Sequence, residues 1–320
     1  MRVLLLGATG TAGRATLAAL ADAGHEVVAL HRGEPPETAR NDLVSFRRSD
    51  VSDPVSLARD GFRGERFDAL VTTLASRSGV PEEAWAIDHR ANAEALRQAI
   101  EAGVTRVVAL SAICVQKPML AFQFAKLAFE EELVKSGVDY AIVRPTAFFK
   151  SLSGQIGRVQ RGKPFLLFGN GELTRCKPIS DRDLGRFMAL CLTDDDKRNS
   201  ILPIGGPGPA ISLREQGEEL FRLTGREPRF RHVPVAMFDA ISAVLRVGGY
   251  LSNNLKTKAE LARIGRYYAT ESMLVWDVQQ GRYVADATPE FGHDTLFQHY
   301  AEVLSKGETV ELGAHRVFGD

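Results

Sequence analysis

The sequence is poor in cysteine and carries no excess charge of either sign. Its three cysteines, Cys114, Cys176 and Cys191, form no CxxC pair. This excludes a disulfide framework and a cysteine-based zinc site, so we predict no metal site and a reducing compartment. Because 40 Lys and Arg residues balance 40 Asp and Glu residues, we expect no nucleic-acid partner, which would require a basic surface.

Long apolar runs are missing as well. The run at residues 3–6 is too short for the core of a signal peptide. No run reaches the roughly 18 apolar residues that a membrane-spanning helix needs. The nearest candidate, residues 235–251, is interrupted by Asp239 and Arg246 and predicts an amphipathic helix. We therefore expect no transmembrane segment.

Short apolar segments alternate with helical patterns through the first half of the chain. The six predicted strands cover residues 3–6, 27–30, 43–46, 69–73, 106–110 and 140–143. Helical patterns separate them, and one of these, residues 12–23, is followed by Gly24 as a natural helix end. Strands joined by helical crossovers predict an α/β fold with a doubly wound parallel Rossmann sheet.

The pattern changes after Pro145. Residues 165–168 and 172–176 flank Asn170-Gly171, which predicts a hairpin with a type I′ turn. Residues 201–204 are a candidate seventh strand, and the polar stretch around residues 254–258 is interpreted as a loop. We predict an NADP-binding Rossmann domain at residues 1–150. A smaller C-terminal substrate lobe at residues 151–320 would be interleaved with the last Rossmann elements.

A glycine-rich turn lies between the first strand and the first helix. Three glycines in the order GxxGxxG permit a tight turn and let the backbone approach a pyrophosphate at the N-terminus of the helix. A strand before the motif and a helix after it are the required context. The residues of this predicted dinucleotide site are Gly7, Thr9, Gly10, Thr11, Ala12 and Gly13.

The end of the second strand indicates which nicotinamide cofactor binds. NAD-binding proteins usually have an acidic residue there for the ribose 2′-hydroxyl, whereas this chain has Arg32, which can pair with a 2′-phosphate. We therefore predict NADPH. In the alternative, Arg32 is a solvated turn residue, and Glu34 discriminates between the two nicotinamide cofactors. Asp50 is a candidate adenine contact or a helix cap. The other residues predicted to bind the cofactor are Thr73, Leu74, Ser111, Lys126 and Pro145.

The glycine motif and the predicted sheet resemble the short-chain dehydrogenase/reductase superfamily. The catalytic YxxxK signature of that superfamily matches residues 122–126, where Lys126 is present but the tyrosine is replaced by Phe122. A phenyl ring has no proton to donate. The usual reduction of a carbonyl group is therefore not expected. Two alternatives follow: a protein that binds NADP without catalysis, or an enzyme whose substrate needs no oxyanion stabilisation.

Later segments closely resemble the NADPH-type divinyl chlorophyllide a 8-vinyl reductase family. They include AFQFAKL at residues 121–127, RPTAFFKS at 144–151 and CKPIS at 176–180, with residues 199–208, 264–274 and 288–296. The resemblance runs from Gly7 to the last helix. It implies an oxidoreductase that reduces the 8-vinyl group of a divinyl chlorophyllide or protochlorophyllide to ethyl, in chlorophyll or bacteriochlorophyll synthesis.

The implied chemistry is compatible with Phe122. A vinyl group conjugated to a tetrapyrrole accepts hydride at its terminal carbon, and the negative charge spreads into the macrocycle, so no oxyanion donor is required. Water, Lys126, Tyr267 and Tyr268 are the candidate proton donors, and any of the seven histidines is a candidate axial ligand for the substrate magnesium.

The substrate requires a flat apolar surface and a cation for its propionate. The predicted substrate-binding residues are Phe122, Phe148 and Phe149, which would stack on the ring, and Lys150, which would pair with the carboxylate. The alternatives are core packing for the phenylalanines and a solvated surface position for the lysine.

A catalytically silent NADP-sensing regulator of the atypical short-chain dehydrogenase type is the alternative function. The sequence shows no transit extension before the glycine motif. On that basis we expect a bacterial, cytoplasmic protein, with peripheral contact to photosynthetic membranes as a further expectation.

Overall fold

The computed structural model describes residues 1–35, 41–249 and 253–306. Its strands are β1 (Arg2–Leu6), β2 (Glu26–His31), β3 (Val44–Arg48), β4 (Ala69–Thr72), β5 (Arg106–Leu110), β6 (Asp139–Pro145), β7 (Phe165–Phe168), β8 (Arg175–Cys176), β9 (Ser200–Ile204), β10 (Ile211–Ser212), β11 (Phe230–Val233), β12 (Val275–Asp277) and β13 (Arg282–Val284).

The α-helices are α1 (Thr11–Asp22), α2 (Pro54–Ser56), α3 (Pro81–Ala84), α4 (Asn92–Glu101), α5 (Ala121–Lys135), α6 (Phe149–Leu152), α7 (Ile156–Gln160), α8 (Asp181–Thr193), α9 (Leu213–Thr224), α10 (Ala236–Gly249), α11 (Asn253–Thr270) and α12 (Leu296–Lys306). Two π-helical segments, Leu57–Phe62 and Trp85–Ala91, continue α2 and join α3 to α4.

A seven-stranded sheet in the order β3-β2-β1-β4-β5-β6-β9 forms the centre of the fold. The strands from β1 to β6 pair in parallel register, for example Leu4 with Val28 and Leu70. The order reverses between β1 and β4, which is the topological switch point where doubly wound sheets bind ligands. The predicted doubly wound parallel sheet is confirmed, and the candidate seventh strand is its edge strand β9.

Apolar residues that alternate along the strands build the core on one face of the sheet. The cluster consists of Leu4, Leu6, Val28, Leu30, Leu57, Phe62, Phe67, Leu70, Ala95, Leu96, Ala99, Val104, Val107, Ala109, Phe129, Leu133 and Ile142. Because side chains alternate between the two faces of a strand, the intervening residues Val3 and Leu5 face the opposite layer and are fully buried too.

The chain divides into two compact units. The first contains residues 1–76, 81–145 and 181–203, which include the parallel sheet almost entirely. The second contains residues 77–80, 146–180 and 204–320. In the second unit, β7 pairs in parallel with β11, β8 pairs with β10, and β12 pairs with β13.

Two local predictions differ from the structure. The predicted hairpin at residues 165–176 is wrong, because β7 and β8 pair with strands much later in the chain rather than with each other. The predicted loop around residues 254–258 is wrong, since it lies within α11. The amphipathic helix predicted at residues 235–251 is observed as α10, and its last two residues lie outside the described residues.

None of the helices in the described part of the chain is both long and apolar enough to cross a membrane.

Candidate functional site

The glycine turn after β1 is packed too closely for side chains. Gly7 has φ of +80°, and a Cβ atom there would lie 2.6 Å from Thr73 Oγ1. A Cβ atom on Gly13 would lie 2.0 Å from the Gly7 carbonyl oxygen. The Gly10 N–H donates to that same carbonyl at 3.0 Å and closes the turn. Glycine is therefore required at positions 7 and 13 by the backbone itself.

This turn leads directly into the N-terminus of α1. Gly10 is the N-cap residue, it provides no side-chain cap, and the first turn of the helix contains no acidic residue. The first N–H groups of an α-helix have no partner within the helix, and the helix dipole makes this end favourable for an anion. The half-buried Thr11 and Ala12 and the exposed Thr9 lie at this end. The arrangement fits the pyrophosphate of a dinucleotide.

Arg32 and Asp50 lie beyond the ends of the neighbouring strands β2 and β3. Arg32 is exposed and Asp50 is half-buried. The Ser52 hydroxyl and N–H both donate to Asp50 Oδ1, at 2.6 and 3.0 Å. These hydrogen bonds are the main cause that lowers the pKa of Asp50, and the charge of Arg32 lowers it further. Asp53, rather than Asp50, caps α2 by accepting from the Val55 N–H at 3.0 Å.

The other predicted cofactor residues lie at the carboxyl ends of the remaining parallel strands. Thr73 follows β4, and both its N–H and its hydroxyl donate to the Leu6 carbonyl at 3.0 Å, which joins the ends of β4 and β1. Leu74 is the next residue and is half-buried. Ser111 follows β5, and Pro145 ends β6. Because parallel strands end at one edge of a sheet, these residues share the edge that carries the glycine turn.

Lys126 is buried and paired with an acidic residue that the sequence analysis did not single out. Its Nζ atom lies 2.9 Å from Asp88 Oδ1, and the Asp88 side chain is 1% exposed. Asp88 belongs to the π-helical turn before α4. A signal was present in the sequence: Ala84, Asp88 and Ala95 share the spacing of a buried helix face, where a carboxylate requires a partner.

Phe122 lies one turn before Lys126 on α5 and is buried, with 9% of its surface exposed. Its buried ring can form an apolar wall in the first unit, and it has no proton to donate. The predicted substrate residues Phe148, Phe149 and Lys150 belong to the second unit.

The three substrate residues of the second unit have different environments. Phe149 is buried, and its ring centroid lies 5.4 Å from that of His299 on α12. Burial lowers the pKa of His299, and its Nε2 atom lies 3.2 Å from Ser153 Oγ. Phe148 and Lys150 are half-buried. The Phe149 ring therefore contributes to the packing of α12, whereas Phe148 and Lys150 retain exposed surface.

The two tyrosines considered as proton donors also belong to the second unit. Tyr267 is 3% exposed and Tyr268 is 46% exposed, both on α11. Their rings contact each other edge to face, with centroids 5.7 Å apart.

The strand order, the switch point and the glycine turn define a nucleotide-binding protein of the doubly wound α/β class, and an NAD(P)H-binding family model matches residues 7–195. Two curated relatives are described as chloroplastic divinyl chlorophyllide a 8-vinyl-reductases. The protein from Zea mays is 46% identical over 99% of this chain and 82% of its own length. The protein from Arabidopsis thaliana is 41% identical over 96% of this chain and 78% of its own length.

The chain belongs to the divinyl chlorophyllide a 8-vinyl-reductase family. Among solved structures, the NADPH complex of the quinone oxidoreductase QOR2 from Escherichia coli is similar with a TM-score of 0.67. It is 17% identical, and the match covers 94% of this chain and 99% of that one. At that identity the structural match supports the fold alone.

The relatives correct one prediction. The comparisons contradict the expected bacterial, cytoplasmic location, because the family members from maize, rice, cucumber and Arabidopsis are all described as chloroplastic.

Proposed function

We propose that this protein is an NADPH-dependent oxidoreductase that reduces the 8-vinyl group of divinyl chlorophyllide a to ethyl in chlorophyll biosynthesis. The observation that carries the proposal is the 46% identity to a divinyl chlorophyllide a 8-vinyl-reductase over 99% of this chain. The substrate class is a magnesium tetrapyrrole, and divinyl protochlorophyllide is the second form that we propose to test.

The residues at the edge of the parallel sheet are suited to hold the cofactor. The turn from Gly7 to Gly13 admits no Cβ atom at either end, and it presents the uncapped N-terminus of α1 to the pyrophosphate. Arg32 would pair with the 2′-phosphate, and Asp50 would contact the adenosine. Thr73, Leu74, Ser111, Lys126 and Pro145 would line the remaining cofactor surface. When bound, NADPH supplies the hydride.

The substrate itself stabilises the charge that develops during reduction. The vinyl group is conjugated to the macrocycle, so the electron pair that arrives at its terminal carbon is delocalised over the tetrapyrrole. No carbonyl oxygen becomes negative, and the protein needs no oxyanion donor. This explains why Phe122, buried on α5, can replace the tyrosine of the short-chain dehydrogenases.

Proton delivery to the inner vinyl carbon then depends on groups other than residue 122. Lys126 is the ionisable residue nearest to Phe122 in the sequence of α5, and its ammonium group lies 2.9 Å from the Asp88 carboxylate. We propose that Lys126 binds the nicotinamide ribose and that it maintains a supply of protons through water. Solvent deuterium is therefore expected at the carbon of the ethyl product that received no hydride.

The tetrapyrrole would be held by apolar rings and one cation. We propose that Phe122 and Phe148 contact the macrocycle and that Lys150 pairs with the propionate. Phe149, which packs on His299, would support the apolar surface that contacts the macrocycle. In this scheme residues 1–150 provide the NADPH site and these four substrate contacts, and residues 151–320 provide the rest of the substrate lobe.

The test uses purified protein with NADPH and divinyl chlorophyllide a. Reduction of the vinyl group shortens the conjugated system, so we expect a blue shift of the Soret band that requires both reactants. Monovinyl chlorophyllide a is the matched control and should show no shift. NADPH binding without any spectral change would refute the reductase and favour an NADP-sensing regulator.

A further inference from the structure

The Lys126–Asp88 pair is an unusually buried pair of charges. The Lys126 side chain is 11% exposed and the Asp88 side chain 1% exposed, and their atoms are 2.9 Å apart. Removing two charges from water is costly, and their attraction compensates for this cost when their geometry is fixed. The position of the Lys126 ammonium group is therefore determined by Asp88 as much as by α5.

Asp88 also holds the segment that follows β4. The Ser76 N–H lies 3.3 Å from Asp88 Oδ1 and 3.4 Å from Oδ2. Ser76 comes shortly after Thr73 and Leu74, which are proposed cofactor contacts. One carboxylate thus joins Lys126 on α5 to the segment after β4.

The local helix geometry around Asp88 is specialised. Asp88 lies in the π-helical turn Trp85–Ala91, and wide turns of this kind occur frequently at functional sites. The Asn92 amide donates to the carbonyls of Ile87 and Asp88, at 3.0 and 3.3 Å. Its oxygen accepts from Thr72 Oγ1 at 2.6 Å. Asn92 therefore fixes the backbone of the turn to β4, so the Asp88 carboxylate has a defined position.

A small cavity adjoins the ion pair. Its volume is about 10 Å³, roughly the space of one water molecule. The residues around it are Asp88, Asn92, Ala109, Leu110, Ser111, Lys126, Phe129 and Glu130. Ser111 is 8% exposed, and its buried hydroxyl has no hydrogen-bond partner among the described residues. A buried hydroxyl of this kind requires a partner, and Ser111 shares the cavity with Lys126.

We propose that Asp88 is the positioning residue for Lys126, holding its ammonium group beside Ser111 at the end of β5 so that Lys126 can bind the nicotinamide ribose. This inference rests on the cofactor role proposed above for Lys126. Asp88 contacts neither cofactor nor substrate in this scheme and acts through Lys126.

A purely structural ion pair makes a different prediction. In that case, loss of Asp88 would destabilise the protein but would leave the NADPH affinity of the folded protein unchanged. A positioning residue loses its effect when the group that it positions is absent. A double-mutant cycle separates the two cases.

The cycle compares wild type, Asp88→Asn, Lys126→Met and the double variant. The readout is the NADPH dissociation constant from NADPH fluorescence titration, with circular dichroism and Tm to establish folding. We expect Asp88→Asn to raise the NADPH dissociation constant about ten-fold in the wild-type background, because the Lys126 ammonium group loses the carboxylate that positions it. In the Lys126→Met background it should change the constant by less than about two-fold.

The double variant keeps the test decisive if Asp88→Asn does not fold. It removes both charges, and replacing both members of a buried pair is tolerated better than removing one. Equal NADPH affinity of Lys126→Met and the double variant supports the proposal. A double variant that binds about ten-fold more weakly than Lys126→Met would overturn it, because Asp88 would then act independently.

Glu130→Gln provides a matched control. Glu130 is a second buried carboxylate at the same cavity, but it pairs with Arg144 instead of Lys126. Its effect on NADPH affinity should be the same in the wild-type and Lys126→Met backgrounds, since the pair with Arg144 does not involve Lys126. An effect of Glu130→Gln that disappeared with Lys126, as predicted for Asp88→Asn, would contradict a specific role of Asp88.

The two proposals fail in distinguishable ways. The titration needs no tetrapyrrole, so wild-type protein that binds NADPH but does not shift the Soret band would refute the proposed reductase alone. Lys126→Met protein that binds NADPH as wild type does would refute the positioning role, whatever the result with divinyl chlorophyllide.

Discussion

Gly13 lies against the carbonyl of Gly7, so closely that a Cβ atom on Gly13 would be 2.0 Å from that oxygen. Gly10, between them in the sequence, is less confined, because a Cβ atom there would be 3.4 Å from the same oxygen. The first turn of α1 thus packs directly on the end of β1. Of the three glycines in the GxxGxxG motif, Gly7 and Gly13 are required by close packing, whereas alanine could replace Gly10.

This difference predicts unequal effects of alanine. Gly13→Ala should destabilise the protein by about 1–3 kcal/mol, the usual cost of overpacking, and should abolish tight NADPH binding because the turn must open. Gly10→Ala should cost about 1 kcal/mol or less, mainly through the poorer N-cap. Urea unfolding and NADPH titration measure both effects. Equal stability of the two variants would contradict the close contact.

Arg32 should determine the preference for NADPH over NADH. Hydrogen bonds to charged groups contribute about 1.5–3 kcal/mol, so Arg32→Ala should weaken NADPH binding by roughly 10- to 100-fold and leave NADH nearly unchanged. Arg59→Ala, which removes an exposed arginine paired with Asp60 elsewhere in the same unit, is the control and should change neither affinity. Equal losses for NADPH and NADH in Arg32→Ala would exclude the 2′-phosphate role.

Phe122 separates vinyl reduction from ordinary short-chain dehydrogenase chemistry. Phe122→Tyr should retain most activity, with a loss of about a few-fold from one polar atom in an apolar site. Phe122→Ala should lose more, because removal of a buried ring leaves a cavity and costs about 3–5 kcal/mol of stability. Initial rates of the Soret shift, normalised to folded protein, measure both. A much faster Phe122→Tyr variant would show that a proton donor at this position limits the wild type.

His299 should make stability depend on pH. Burial lowers its pKa from 6.5, the nearby Glu302 and Asp294 oppose this, and Lys306 adds to it. Below 6.5 the unfolded chain therefore binds more protons than the folded one. The contribution of neutral, buried His299 to the free energy of unfolding is complete above that pH and is lost as the pH falls below it.

The comparison with His299→Gln isolates this effect. Between about pH 7.5 and 5.5, wild type should lose more stability than the variant, as measured by urea unfolding at each pH. His25, whose pKa burial also lowers, is present in both proteins and cancels in the difference. Parallel pH profiles would show that His299 does not titrate in this way.

The alternating strands and the glycine turn could be predicted because their signals are local. Each central strand is a short apolar run, and each crossover has its own helix start or stop, so the parallel sheet follows from neighbouring residues. The hairpin predicted at residues 165–176 failed for the opposite reason. The turn signal Asn170-Gly171 is local, but β7 pairs with β11 and β8 with β10, whose residues are distant in the chain.

The sequence by itself determined the sheet, the glycine turn at Gly7 and Gly13, and the replacement of a catalytic tyrosine by Phe122, since each depends on the identity and spacing of nearby residues. The tertiary structure alone decided that Lys126 pairs with Asp88, which is 38 positions earlier in the chain. It also decided that Phe149 packs on His299 of the last helix. Contacts between distant segments depend on how whole elements pack, and burial makes them selective because an unpaired buried charge is costly.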